Sequence, residues 1–509
     1  MLKLRLKSGL AWSGILIFLL ITSIPAEGVD LLPGWLERYA STFNPIGELL
    51  DPLESKVPAL TVRGFLRNYT DWNLHAASGE VGLGHRTKDW DAQQIKWLAE
   101  LELRYQINDH LELVNIENLL YDAFYDWQDT SSLAHHIERD AEYYHETKRI
   151  LRELYLAANY GDWEIILGKQ QVVWGKMDGK FIDIINPEDA REGPQHEVDD
   201  YEWTRIPLWM LNIIYNWPNS YLNFIWIPDF EPSRPPVYTS AYWPPAIRIY
   251  PETLTPFPPY IRLMTRDKPL SSFQNHEFGL RYNFTRGTWD TSLIYFYTWD
   301  DLPTYFFRAG TIDPISQKPS SIWVEPKHTR LHQLGLASDL SFYALSRDWV
   351  GRIEAMYTLN KYIPLRPIPG IYPWLAGKGN VTKRNTLKSA LSVETTIFKG
   401  DVTLLFQPVF NYVFGYDNNM NIRHEEILFI WNISQAIHYF DDRLRYSLTW
   451  YYFPWSQMNG WKYKYDIWYE ISDHINLRVR YTGYSGHQDE AYGMYDDWDN
   501  LGIELVYEF

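Results

Sequence analysis

The chain of 509 residues has no cysteine, which excludes disulfides, thiolate metal sites and the lipid attachment of a lipoprotein. It has no apolar run long enough for a membrane-crossing helix. The longest, Leu10 to Ile21, is about a dozen residues, against the roughly 20 that a bilayer needs. Basic residues are short, 47 Lys and Arg against 64 Asp and Glu for a net charge of −17, and nucleic-acid binding is not expected. There is no G-x-S-x-G elbow, no H-E-x-x-H pair and no phosphate-binding glycine loop. The expectation is therefore no enzyme, no catalytic residue and no cofactor. Aromatic residues are in excess, with 24 Trp, 38 Tyr and 23 Phe. Such a load suits two belts of Trp and Tyr at the two faces of a membrane.

The start reads as an export signal over residues 1–28: Lys3, Arg5 and Lys7, the apolar run, then small residues with cleavage expected after Ala26 or Gly28. Residues 29–58 are moderately apolar, and their pattern allows either a short periplasmic helix or a segment inserted into a lumen. Residues 59–509 carry a two-residue alternation. At the end, Leu501, Ile503, Leu505, Tyr507 and Phe509 alternate with more polar positions, as in a strand with one apolar face. Tyr507 and Phe509 have the form of the sorting signal read by the barrel-assembly machinery of outer membranes.

The same rhythm recurs along the chain. Ile95 to Ile107 alternates with Gln94, Lys96, Leu98, Glu100, Glu102, Arg104 and Gln106. Trp209, Leu211, Ile213, Tyr215 and Trp217 form another apolar face. Short turns, such as Gly161-Asp162, Pro218-Asn219 and Ser472-Asp473-His474, take turns with long connections, of which 228–275 is the longest and holds ten prolines within 228–259. That asymmetry predicts an all-β, transmembrane antiparallel β-barrel of about 18 strands (range 16–18), with short periplasmic turns and long extracellular loops. Proline lacks the ladder N–H, so the Pro-rich stretch is expected as a loop, either constricting the pore or lying on the surface.

The segment Arg152-Glu153-Leu154-Tyr155, Gly161-Asp162-Trp163, Leu167-Gly168-Lys169-Gln170-Gln171-Val172-Val173-Trp174-Gly175, Asp178-Gly179 and Asp183-Ile184-Ile185-Asn186-Pro187-Glu188-Asp189 resembles a large, poorly characterised family of proteobacterial outer-membrane proteins, long catalogued only as a domain of unknown function. The resemblance implies a porin-like barrel, with hydrophobic compounds among the suggested cargo, and carries no catalytic residues. In physical terms, Gly168 leaves room on a crowded face, Lys169 and Gln170 can bond across strands, and Gly175 and Gly179 permit turns. Asn186-Pro187-Glu188-Asp189 has the form of a helix N-terminus, in a loop expected to plug or constrict.

Acidic loops (Glu188, Asp189, Glu192, Glu197, Asp199, Asp200, Glu202; Asp489, Glu490, Asp496, Asp497, Asp499) suit calcium chemically, but without a dedicated spacing a solvated rim is preferred. His135, His136 and His145 show no closed ligand set, so no metal site is expected. The candidate lumen charges are Arg443, Arg445, Lys462, Lys464, Arg478 and Arg480, with Glu100, Glu102 and Arg104 expected across the barrel from them. They form either opposed walls that select ions or pairs with neighbours such as Asp466 and Glu470. The resulting expectation is an outer-membrane channel for small molecules, embedded in outer-membrane lipid, with an oligomer left open. The alternatives are a non-conducting scaffold plugged by its own loops and, further off, a barrel-based hydrolase.

Overall fold

A computed structural model describes residues 40, 42–75, 89–123, 150–177, 184–189, 204–234, 261–263, 273–309, 322–366, 380–398, 402–437, 443–454, 460–486, 491–496 and 498–509. The expected signal peptide, most of the Pro-rich stretch, the three loop histidines and most of the acidic loops lie outside these residues.

Twenty-one strands are described. The first seven are β1 (Leu60–Asn73), β2 (Ala92–Asn108), β3 (Leu111–Asp122), β4 (Leu151–Tyr160), β5 (Trp163–Gln170), β6 (Leu208–Trp217) and β7 (Ser220–Ile227). Next come β8 (Ile261–Leu263), β9 (Glu277–Arg286), β10 (Trp289–Trp299), β11 (Thr304–Ala309), β12 (Ile322–Lys327), β13 (Arg330–Ala344) and β14 (Arg347–Pro364). The last are β15 (Val381–Ile397), β16 (Val402–Val413), β17 (Glu425–Ile437), β18 (Leu444–Phe453), β19 (Gly460–Ser472), β20 (Ile475–Gly486) and β21 (Asn500–Glu508). All but β8, β11 and β12 join one 18-stranded sheet of antiparallel neighbours, which closes through β1–β21 pairing from Phe65↔Glu508 to Asn73↔Asn500. The barrel is the one the alternation predicts, and closure removes the sheet edges.

Three long connections hold structure that the alternation does not announce. A small sheet forms from the β11–β12 hairpin with β8 parallel to β12. β14 and β15 run on into the connection between them, staying paired as far as Pro364↔Val381 after an irregularity.

The outer face follows from register. On β6, Trp209 and Trp217 both face outward, 52% and 44% exposed, with Leu211 and Ile213 between them. Eight residues of strand rise about 26 Å, or on the order of 20 Å of height at a tilt of roughly 40°. Trp97 and Tyr105 on β2 repeat the spacing. Two aromatic rows bracketing an apolar band are what a bilayer requires of a β-barrel. The opposite phase is covered and carries many polar groups: Asn118, Asn212, Asn223, Ser292, Glu354 and Thr449 are all buried.

Among the described residues one helix, α1 (Pro45–Lys56), precedes the barrel. Asn44 caps it, its Oδ1 accepting from Gly47 N–H at 3.1 Å, and Pro45 occupies the first turn, where no N–H is needed. The described part of 29–58 is helical from Pro45 to Lys56 and packs beside β1 at the short-turn end.

Candidate functional site: a strap across the lumen

The motif region begins as an ordinary strand and leaves the wall. Gly168 has φ +142°, and a Cβ there would lie 2.2 Å from Leu154 O, so β4 and β5 approach as closely as they do only with glycine. Lys169 Nζ donates to Leu151 O at 2.5 Å on β4, and Gln170 accepts from Asn212 Nδ2 at 3.2 Å on β6. Gln171 Oε1 accepts from Arg152 at 2.8 Å. From there residues 171–177 leave the sheet as a strap, seven residues that can reach about 23 Å when extended.

The strap is fixed at three points. Trp174, 1% exposed, donates from Nε1 to Asn223 Oδ1 at 2.8 Å on β7 and packs edge-on to Phe296. Its ring occupies the space above Gly279, where a Cβ would lie 2.6 Å from it. Around it, lumen-facing Ile225, Ile227, Ile294 and Met356 join Leu208, Met210 and Ile185 in an apolar cluster inside the barrel. Next, Lys176 Nζ lies 2.6 Å from Asp290 Oδ2 and 2.5 Å from Asp339 Oδ1. Asp290 and Asp339 are direct cross-strand partners. Two carboxylates so placed repel each other, and the ammonium between them turns the pair into a socket. Finally, Glu354 Oε1 on β14 accepts the backbone N–H groups of both Lys176 and Met177.

Met177 then meets the far wall, clustering with Ala390, Val409, Ile430, Tyr451 and Tyr484. Tyr492 and Trp498, from the connection between β20 and β21, join this cluster. Burial pushes the Tyr492 hydroxyl up from its ordinary range, so it stays neutral. The strap thus runs from β5 to the opposite wall. A cavity of about 550 Å³ lies toward the long-loop ends of the strands, lined by Ile184, Asn186, Asp300, Lys361, Lys388 and Arg423 among others. Another of about 300 Å³ lies toward the short-turn ends, lined by Glu164, Trp174, Asn216, Tyr221 and Arg281 among others.

Asn186-Pro187-Glu188-Asp189 does not start a helix. Asn186 Oδ1 accepts from Val172 N–H and its Nδ2 donates to Ile206 O, both at 2.9 Å, clamping the root of the strap. Glu188 and Asp189 form β-bridges to Arg205 and Arg234, and Arg234 also lies 3.5 Å from the Asp189 carboxylate. The asparagine that would cap a helix is engaged instead by the backbone of Val172, just after β5, and of Ile206, just before β6. Gly175 sits in the non-regular chain between Trp174 and Lys176, while Gly179 lies outside the described residues.

The expected lumen charges are brought together, but not as opposed walls. Because the barrel closes, β20, β21, β1 and β2 are successive neighbours, so Glu100, Glu102 and Arg104 share one side with the basic strands. Asp466 takes Arg478 Nε at 2.9 Å and Arg480 Nε at 2.5 Å on the same oxygen, with Lys464 3.8 Å from the other. Glu504 extends the patch to Arg478 at 3.7 Å and Arg67 at 3.8 Å. Lys462 lies over the rings of Tyr451 and Tyr484. Nearer the rim, Arg445 pairs with Glu470 at 2.8 Å, Arg104 with Glu102 and, at 3.7 Å, with Glu112. The Arg443 carbonyl accepts from Glu470 N–H at 2.9 Å.

At the seam, Gly64 and Phe509 exchange both backbone hydrogen bonds, at 3.0 and 2.9 Å, with the Phe509 ring over the glycine. Tyr507 donates to Asn44 Oδ1 at 2.8 Å. Lys176, Asp290, Asp339, Glu354, Asn223 and Gly279 were not singled out by sequence. Only strand register puts the two aspartates opposite each other.

Comparison with solved structures finds low-identity barrels. OccAB1 of Acinetobacter baumannii has TM-score 0.49 at 7% identity, over 89% of this chain and 97% of that one. OccK3 (OpdO) of Pseudomonas aeruginosa has TM-score 0.47 at 9% identity, over 90% and 97%. OpdK of Pseudomonas aeruginosa, solved with vanillate, has 0.46 at 8%, over 89% and 99%. No curated protein matches the chain. The sequence profile of one family matches residues 67–509, strap included, and the chain belongs to that family, described as "Protein of unknown function (DUF1302)".

Proposed function

We propose that this barrel is an outer-membrane channel for small molecules, in which the strap Gln171–Met177 sets what passes. The observation that carries the reading is the lumen itself: a polar-walled barrel with a cavity on either side of one narrow, side-chain-anchored segment. A barrel needed only as a scaffold has no use for water-accessible space on both sides of a constriction. Both cavities mix apolar and charged groups, which suits cargo with an apolar body and a polar end. Lumen charges on β19–β21 act mainly on one another in this reading, and ion selectivity is set where Lys361, Lys388 and Arg423 face the outer cavity.

The plugged-scaffold alternative is favoured by one fact, the strap's wall-to-wall reach through Met177. Planar-bilayer recordings separate the two. Wild type is expected to conduct weakly, and Lys176→Ala, which empties the carboxylate socket, to raise conductance several-fold with the barrel still folded. Silence in both proteins would hand the lead to the scaffold.

A further inference from the structure

The seam of the barrel and the helix before it form one surface. β1 pairs with β21 only from Phe65 on, and Gly64 then bonds to Phe509. The next N–H on that side of β1, from Val62, donates at 2.6 Å to Glu54 Oε1 of α1. Helix α1 therefore continues the ladder where β21 stops, using a carboxylate for the missing carbonyl. Its other ties lead to the same place. Tyr507 OH accepts from Ile46 N–H at 3.2 Å, and Phe43 packs edge-on to the Tyr507 ring at 5.8 Å.

These contacts lie on the outward phase of the barrel. Tyr507 pairs with Leu66 and Val62 with Leu103, while Leu66, Leu101 and Tyr105 on that phase are exposed. On α1, Ile46, Leu49, Leu50 and Leu53 recur at helical spacing, with Glu48, Asp51 and Ser55 on the other arc. Ile46 and Leu50 are half-buried, whereas Leu49 is 75%, Leu53 44% and Phe43 37% exposed. An apolar arc that begins against the barrel thus runs on, uncovered, beside the lipid-facing band.

We infer that α1 is an interfacial helix whose Leu49–Leu53 edge is covered by the hydrocarbon of the leaflet at the short-turn end, clamping the β1–β21 seam from the membrane side. The inference rests on the reading of the barrel as membrane-spanning. The occupant follows from continuity: the arc adjoins residues that already face lipid, and its polar side carries the charges an aqueous boundary requires.

The absence of cysteine allows single thiols to be placed cleanly. Leu49→Cys, Leu53→Cys, Asp51→Cys and, on the outer face of β15, Leu391→Cys are each labelled with an environment-sensitive fluorophore after folding. Each is then reconstituted in phosphatidylcholine vesicles with and without doxyl-labelled lipid, and titrated with aqueous iodide. The expected result is lipid quenching at 49 and 53 several-fold above that at 51, strongest with the nitroxide near the headgroup, and iodide quenching in the reverse order. Equal quenching at 49, 53 and 51, with 391 quenched by lipid, overturns the inference and leaves the membrane reading standing. No lipid quenching even at 391 overturns both.

Discussion

Two sectors of the same lumen wall, built on the same alternation, have opposite chemistry. On β7, β10 and β14 the inward positions include Ile225, Ile227, Ile294, Phe296 and Met356, an apolar cluster set among the polar anchors Asn223, Asp290 and Glu354. On β19, β20 and β21 they are Lys464, Asp466, Arg478, Arg480 and Glu504. The first sector abuts the strap and has become a small apolar core within the barrel. The second holds a charge network in which a single aspartate serves two guanidinium groups. Inward therefore does not mean polar. The chemistry of a lumen position reports what lies against it, and a barrel that folds a loop inward needs core residues on both faces of some strands.

The comparison can be broken most forcefully at Asp466, 1% exposed. Asp466→Ala removes the shared acceptor from two buried arginines, and losing one partner of a buried ion pair costs about 3–5 kcal/mol. Urea unfolding in detergent micelles should show it, and a loss near zero would mean the seam sector is held by something other than its charges. The outer surface of the strap sector comes next. Leu293, outward on β10 and exposed, faces lipid, so Leu293→Arg should cost roughly 2–4 kcal/mol if it lies near mid-membrane. Vesicle-folding titration against Leu293→Ala measures the difference, and equal values would place the residue outside the apolar band.

A smaller effect is expected inside the strap sector. Gly279→Val forces the Trp174 ring off its seat, and overpacking of this kind costs about 1–3 kcal/mol. Trp fluorescence and bilayer conductance should change together, since the barrel stays closed while the strap shifts. A normal conductance with a displaced Trp174 would separate the strap from permeation. Smallest of all is the rim of the charged sector, where Arg445 and Glu470 are partly exposed. Arg445→Ala should cost at most about 1 kcal/mol, and that loss should shrink in high salt. A large, salt-independent loss would extend the buried network to the rim.

Much of this was legible in the residues. The alternation from Leu501 to Phe509 and from Ile95 to Ile107 fixes which face of each strand is apolar, because a one-residue slip would invert it. The tight turns at Gly161-Asp162, Pro218-Asn219 and Asp473-His474 stand where the structure has them. The β11–β12 hairpin was hidden because short pairs inside a long connection lack a lipid-facing band to mark them. The motif around Gly168 and Trp174 stands out in the residues as part of a loop that plugs or constricts, but at Asn186 the local pattern points to a helix cap. Its actual partners, Val172 and Ile206, lie 14 and 20 residues away.

The sequence by itself determined the class of the protein: period-two patterning, an aromatic excess and the lack of long apolar runs leave a closed β-barrel as the structure that satisfies every backbone group in lipid. Tertiary structure alone decided how the lumen is arranged. That Asp290 and Asp339 form a socket for Lys176, that Glu100 sits beside rather than opposite Arg478, and that Glu54 finishes the ladder at the seam all depend on register and closure. The first two relations join residues tens to hundreds of positions apart, and the third, though Glu54 and Val62 are eight residues apart, exists as a continuation of the ladder only because β21 closes on β1.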